Sequence, residues 1–134
     1  MNLGPGKIEF ENDAETTVAH LENHGEVEFH QAHQLSVMNV TNQASASVSF
    51  YQATASIYET NNHGTIRIVG GEYIWVGGFN TGTITVEDWT SVEADITANT
   101  GTVTFSCTGT CPPVDLTCMD NSAGVVDLSG EGIS

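Results

Sequence analysis

Cations are almost absent from this chain. Lys7 and Arg67 are its two basic side chains against seventeen Asp and Glu, a formal net charge of −15 over 134 residues. Nucleic acid and anionic lipid are held by Lys and Arg that neutralise phosphates, so the composition excludes both as partners. An acidic surface with so little lysine keeps a β-rich chain soluble by self-repulsion, at some cost to the compact state. Long apolar runs are missing too. No stretch approaches the roughly 18 residues of a membrane helix, so no membrane insertion is expected. Met1-Asn2-Leu3-Gly4-Pro5 is not a charged n-region followed by an apolar core. Any export signal is therefore expected to have been removed or never to have existed. Cysteine is sparse, with Cys107, Cys111 and Cys118 all in the last quarter. An odd count allows one disulfide with a leftover thiol, or three thiols.

What is present is a repeat. Gly-led runs read Gly6-Lys7-Ile8-Glu9-Phe10, Gly25-Glu26-Val27-Glu28-Phe29, Gly64-Thr65-Ile66-Arg67-Ile68, Gly82-Thr83-Ile84-Thr85-Val86 and Gly101-Thr102-Val103-Thr104-Phe105, with Ser47-Val48-Ser49-Phe50 in the third place. Their central residues stand at 8, 27, 48, 66, 84 and 103, in steps of 19, 21, 18, 18 and 19. Alternation of apolar and polar residues marks each run as a half-buried strand. A second short β-rich run follows about ten residues later, as in Leu35-Ser36-Val37, Ala55-Ser56-Ile57, Tyr73-Ile74-Trp75-Val76, Val92 to Ile96 and Val114-Asp115-Leu116. None carries a helical stripe.

Between units the turns read Asn23-His24-Gly25, Asn62-His63-Gly64, Asn80-Thr81-Gly82 and Asn99-Thr100-Gly101, with Asn42 at the corresponding point of the third unit. Asn and Gly suit sharp corners, and stacked in register the Asn side chains can bond one above another as a ladder. A fixed period of this size means one supersecondary unit stacked on itself. The expectation is an all-β fold, a single-stranded β-solenoid (β-helix) of about six rungs with a ~19-residue repeat, roughly 25–30 Å long at strand spacing. Residues 1–134 form one domain in this reading, with repeats over 6–106 and an irregular C-terminal cap over 107–134. The longer third unit, Gln43-Ala44-Ser45-Ala46-Ser47, predicts a bulge or a wider corner.

This pattern of Gly-x-Ile-x-Val strands alternating with a second short strand resembles the GIN-type auto-transporter adhesin head domain of bacterial surface proteins, over residues 6 to 128. It departs from that family in having Asn-x-Gly corners where the family repeats Gly-Ser-Gly. The period is also similar to the repeats of filamentous haemagglutinin. The resemblance implies a non-enzymatic, exported or cell-surface module with no catalytic residues to carry over.

Several residues are candidates for function. Tyr73, Trp75, Phe79 and Trp89 cluster near Gly70-Gly71 and Gly77-Gly78; alternation turns Tyr73 and Trp75 outward, and exposed aromatics mark carbohydrate or protein contact. The alternative is packing under a loop or against a second protomer. Outward columns run Glu9, Glu28, Ser49, Arg67, Thr85, Thr104 and Lys7, Glu26, Ser47, Thr65, Thr83, Thr102. Glu9 and Glu28 would then face one another, a repulsion that Ca²⁺ would relieve and that Lys7 would relieve more simply. No other cofactor is expected. Ranks of Thr resemble the ice-binding face of some antifreeze proteins, although the β-propensity of Thr accounts for them more simply. His24 and His63 share a corner position about 10 Å apart, too far for one metal; His30 and His33 lack a third ligand. Cys107, Cys111 and Cys118 point to a disulfide in the cap rather than half a zinc site, the pairing being open between Cys107–Cys111 and Cys107–Cys118.

No Ser or Cys sits in an activating motif, and no long loop carries paired carboxylates. The expected function is a non-enzymatic structural or adhesive module, extracellular or at the cell surface. It would bind a glycan or protein, or associate with copies of itself as a homo-oligomer. The alternative is a virion or filament component joined head to tail, with growth opposed at the C-terminal end by the cap and open at the first rung, where little covers Ile8.

Overall fold

The computed structural model describes residues 2–3, 6–11, 15–31, 34–52, 54–71, 74–114, 120 and 123–128, the backbone alone at 2, 3, 16 and 74–76. The chain is all-β, and its strands stack as the parallel coils of a β-solenoid of about five turns. The Gly-led runs are the strands β2 (Lys7–Glu11), β5 (Glu26–His30), β8 (Ser47–Tyr51), β10 (Thr65–Val69), β12 (Thr83–Glu87) and β14 (Thr102–Ser106), joined at the end by β15 (Val125–Asp127). They form one seven-stranded parallel sheet in the order β15-β14-β12-β10-β8-β5-β2. Every residue of the two expected outward columns pairs with its neighbour in the column.

The return path lies in a second parallel sheet. The first two turns divide it into β3 (Thr16–Val18) with β4 (Leu21–Asn23), and β6 (Leu35–Val37) with β7 (Val40–Asn42). The next three run it as single strands, β9 (Ala55–Asn62), β11 (Ile74–Asn80) and β13 (Val92–Asn99), and β1 (Asn2–Leu3) pairs with β4 at the N-terminal edge. The turn count falls one short of the six repeats in the sequence because the sixth Gly-led strand, β14, passes into the disulfide loop that closes the end. The second run expected at Val114-Asp115-Leu116 falls outside the described residues except for Val114, which is in no strand.

Inward columns fill the space between the sheets: Val27, Val48, Ile66, Ile84 and Val103 form one, Phe29, Phe50, Ile68, Val86 and Phe105 the next. Phe10, Phe29 and Phe50 stack with centroids 4.8 and 5.1 Å apart and planes within 9°. Strand spacing imposes that separation on any aromatic repeated in register.

Three stacked corners turn the chain. The Asn-x-Gly corner carries a buried ladder in which the side-chain amide of Asn23 donates to Asn42, Asn42 to Asn62, Asn62 to Asn80 and Asn80 to Asn99, over 2.8–3.0 Å. The same nitrogens reach the carbonyls of Ser47, Thr65, Thr83 and Thr102 on the following turn. Each buried amide is thereby satisfied, which is the condition for burying it at all. Gly82 and Gly101 follow the ladder because a Cβ there would collide with the carbonyl of the glycine one turn earlier. The longer third unit makes a wider corner, closed by Ala46 N–H to Gln43 O.

The corner after the first strands places Gln31, Gln52, Gly70 and Asp88 at positive φ, and the third does the same with Asn39, Glu59 and Gly78. Non-glycine residues hold five of these seven positions, at a cost of order 1 kcal/mol each. Hydrogen bonds between turns offset it, as from Gln31 N–H to Tyr51 O and from Gln52 N–H to Val69 O at 2.8 Å.

Candidate functional site

At the Gly77-Gly78 corner the stacking is irregular on both flanks. On one side β9 sets Tyr58 and Glu59 against the single residue Gly77; on the other, Thr97 of β13 is an extra residue between the partners of Gly78 and Phe79. Bulges of this kind re-aim side chains and interrupt the ladder. Here they flank a glycine pair that has no side chains to fill the gap. The result is a groove of about 530 Å³, with Gly77 and Gly78 at its floor and Glu59, Asn61, Phe79, Asp95 and Thr97 lining it. Gly78 has φ 121°, and a Cβ there would run into the backbone of Thr60. Thr97 fixes one wall by donating its hydroxyl to Gly78 O at 3.3 Å.

Phe79 is 57% exposed, a large apolar ring standing at the edge of this groove. Met38 and Tyr58, also exposed, occupy the same corner in the second and third turns, and with Asn39 and Glu59 they line an adjoining cleft of about 430 Å³. Glu59 belongs to both depressions. The strip formed by the two depressions, with Met38 and Tyr58 at the corner and Phe79 past it in register with Asn61, spans three successive turns, roughly 10 Å along the axis. It combines apolar plates with the carboxylates Glu59 and Asp95 and the amide of Asn61. Such a surface can stack on the apolar face of a ligand while accepting hydrogen bonds from its hydroxyl or amino groups.

The aromatic residues singled out from sequence do not all reach this strip. Phe79 does. Trp89 is a correction: at 3% exposure it is a core residue, packed edge-on against Phe105 at 5.7 Å with its indole N–H donating to Pro112 O at 2.9 Å. The Pro-containing loop covers it, which satisfies the buried indole N–H. Trp75 takes the register position of Ser56 and Glu93; its side chain and all of Tyr73 lie outside the described residues. Met38, Tyr58, Glu59 and Asp95 were missed, because the corner that gathers them consists of bulges and positive φ values that alternation does not signal.

Glu9 and Glu28 are register partners as expected. Lys7 supplies the positive charge between them, its ammonium 2.7 Å from Glu9 and 3.2 Å from Glu28, with Glu26 at 4.0 Å. Glu9, and after it Glu28, raise the Lys7 pKa above its ordinary value. His30 bonds Glu28 at 3.0 Å and stacks on Tyr51. The hydrogen bond from His30, then that from Lys7, hold the Glu28 carboxyl below the ordinary carboxylate range against partial desolvation. Glu9, Glu28 and His30 are close enough to share an ion, but the ammonium already does what Ca²⁺ would do there. His24 pairs with Glu22, and His63 with the Thr81 hydroxyl. Among the cysteines, Cys107 is bonded to Cys111; Cys118 lies outside the described residues.

No protein-family model, no curated protein and no solved structure matches this chain.

Proposed function

We propose that the chain is a non-enzymatic β-solenoid adhesive module of the cell surface or extracellular space, and that it binds a neutral or amino-bearing glycan along the Met38–Tyr58–Phe79 strip. The groove at Phe79 carries this reading: an exposed aromatic plate beside a glycine pair, with the carboxylates Glu59 and Asp95 and the amide of Asn61 among the lining groups. The net charge of −15 selects against acidic glycans, which the groove would repel. A disulfide in the terminal loop fits an oxidising compartment. The resemblance of the repeat to adhesin head domains points the same way.

A glycan array, followed by calorimetry on the strongest binder, tests this. Phe79→Ala should weaken binding at least about tenfold, the loss of roughly 1.4 kcal/mol expected from removing a stacked ring. Glu59→Gln should weaken an amino sugar more than a neutral one. An array without binders, or affinity unchanged in Phe79→Ala, would remove the proposal. Cleavage of a bound oligosaccharide would overturn its non-enzymatic part.

A further inference from the structure

The disulfide loop after β14 gathers a third metal-ligating side chain beside its two cysteines. Asp88, at the corner after β12, lies against the Cys107–Cys111 bridge, and its carboxylate and the two sulfurs all fall within 4.8 Å of one another. Local sequence gave the cysteines no third donor; stacking of one turn on the next supplies it. The backbone fixes the approach, since Asp88 N–H donates to Ser106 O at 3.1 Å where the chain turns at φ 52°. The side chain is held as well: Oδ1 of Asp88 accepts from Thr108 N–H at 2.6 Å and from the Thr108 hydroxyl at 2.9 Å. Both bonds fall on Oδ1 and leave Oδ2 outside them. Carboxylates that ligate metals are oriented by outer hydrogen bonds of this kind. Cys107 and Cys111 are buried and Asp88 is exposed, so the place opens to solvent on the carboxylate side.

We propose that the reduced chain binds one thiophilic divalent cation of the Zn²⁺ class through Cys107, Cys111 and Asp88, and that metal and disulfide are alternative staples of the same loop. The bridge exists only after oxidation; before it, or wherever a dithiol reductant reopens it, two thiols stand beside the carboxylate. The reductant gives two electrons to the bridge and becomes a disulfide itself, and the cation then displaces the two thiol protons to water. In a tetrahedral site with Zn–S bonds of about 2.3 Å the sulfurs lie about 3.8 Å apart, a separation open to cysteines whose Cα atoms are 6.2 Å apart. Three protein donors are the count of zinc sites that keep a water in the fourth position. Two thiolates among them select a soft cation over Ca²⁺ or Mg²⁺.

The charge at this place has no competitor inside the chain. Lys7 and Arg67, the two cations, are engaged elsewhere, by Glu9 and Glu28 and by Glu87. That separates the site from the cluster of Glu9, Glu28 and His30, where the Lys7 ammonium already stands between the carboxylates. The loop has work to do once tied. Pro112 O accepts the indole N–H of Trp89 at 2.9 Å, and the Trp89 ring packs edge-on against Phe105. With neither staple, the segment that covers Trp89 is tied by hydrogen bonds and packing alone. A bound cation keeps the core covered while the cysteines are reduced. The proposal does not rest on the ligand of the groove being a glycan.

A Co²⁺ titration of the Cys118→Ser chain, reduced with a phosphine under nitrogen, decides the matter; the substitution keeps the third thiol out of the readout. Thiolate-to-cobalt charge-transfer absorption should saturate at one equivalent and vanish as Zn²⁺ displaces the cobalt, and the oxidised chain should show none. Asp88→Asn keeps an Oδ1 acceptor for Thr108 and removes the carboxylate donor. It should weaken the metal at least about tenfold, the least that loss of even an outer partner costs. Zn²⁺ should raise the Tm of the reduced chain, and raise it much less in Asp88→Asn. If reduction unfolds the chain, Zn²⁺ should restore its β-sheet circular dichroism. An absent charge-transfer band, equal affinity in Asp88→Asn, or a reduced chain that Zn²⁺ neither stabilises nor refolds overturns the proposal.

Discussion

Thr60 shows how a repeat tolerates a wrong residue. It is buried in an inward column between Val40 and Gly78, and its hydroxyl has no hydrogen-bond partner among the described residues. A buried hydroxyl left unbonded costs about 1–3 kcal/mol. Thr60→Val should accordingly raise the stability measured by chemical denaturation by about 1 kcal/mol; a loss would mean that the hydroxyl is satisfied after all. Glu28 behaves in the opposite way. Its carboxyl is held below its ordinary range by His30 and Lys7, so the folded state binds its proton less readily than the unfolded state. Its contribution is complete above the ordinary carboxylate pKa and disappears as pH falls through the depressed folded value. The Tm difference between the wild type and Glu28→Gln should be largest near neutrality and close in acid. A gap independent of pH would assign Glu28 a packing role only.

At the scale of the element, the unit of stability is the corner. The Asn ladder was legible in advance because Asn-x-Gly recurs at a constant phase to the strands, and a side chain repeated at strand spacing must meet its copy. Asn62→Asp keeps the shape and removes the donor that reaches Asn80, Gly64 and Thr83. It should destabilise the protein by at least about 3 kcal/mol, since it also buries a charge. Equal stability in the two forms would show that the ladder is ornamental. The other two corners were not legible. Gln31, Gln52, Asn39, Glu59 and Asp88 adopt positive φ; Asn39 and Asp88 are residue types that tolerate it, but Gln31, Gln52 and Glu59 give no such signal. The groove at Phe79 is built on one of these silent corners. The disulfide was half legible: three cysteines at the end of the repeat predict a bridge, and only the folded loop selects Cys107–Cys111. Its short loop stabilises the end by about 2 kcal/mol.

For the whole molecule, charge and shape oppose one another. The chain has seventeen carboxylates and two cations to oppose them, and stacking parallel coils brings those on the described strands close together. The folded state therefore carries more self-repulsion than the unfolded chain. Raising monovalent salt from about 0.01 to 0.5 M shortens the screening length several-fold. It should increase Tm, and Ca²⁺ at equal ionic strength should do no better if Lys7 already serves the Glu9–Glu28 pair. A specific calcium increment, absent in Glu9→Gln, would reinstate a metal at that place.

The sequence by itself determined the solenoid, its period, the strand columns and the ladder, because each depends on residues repeating in phase, and phase survives without coordinates. It misplaced Trp89, whose neighbours include a loop more than twenty residues away. It was also silent on Met38, Tyr58, Glu59 and Asp95: Glu59 and Asp95 come to one groove where the register shifts on both flanks of Gly77 and Gly78, and Met38 and Tyr58 line a cleft that shares Glu59. Tertiary structure alone decided that groove: it arises from how many residues each turn spends at a corner, a quantity that stacking sets and local pattern does not.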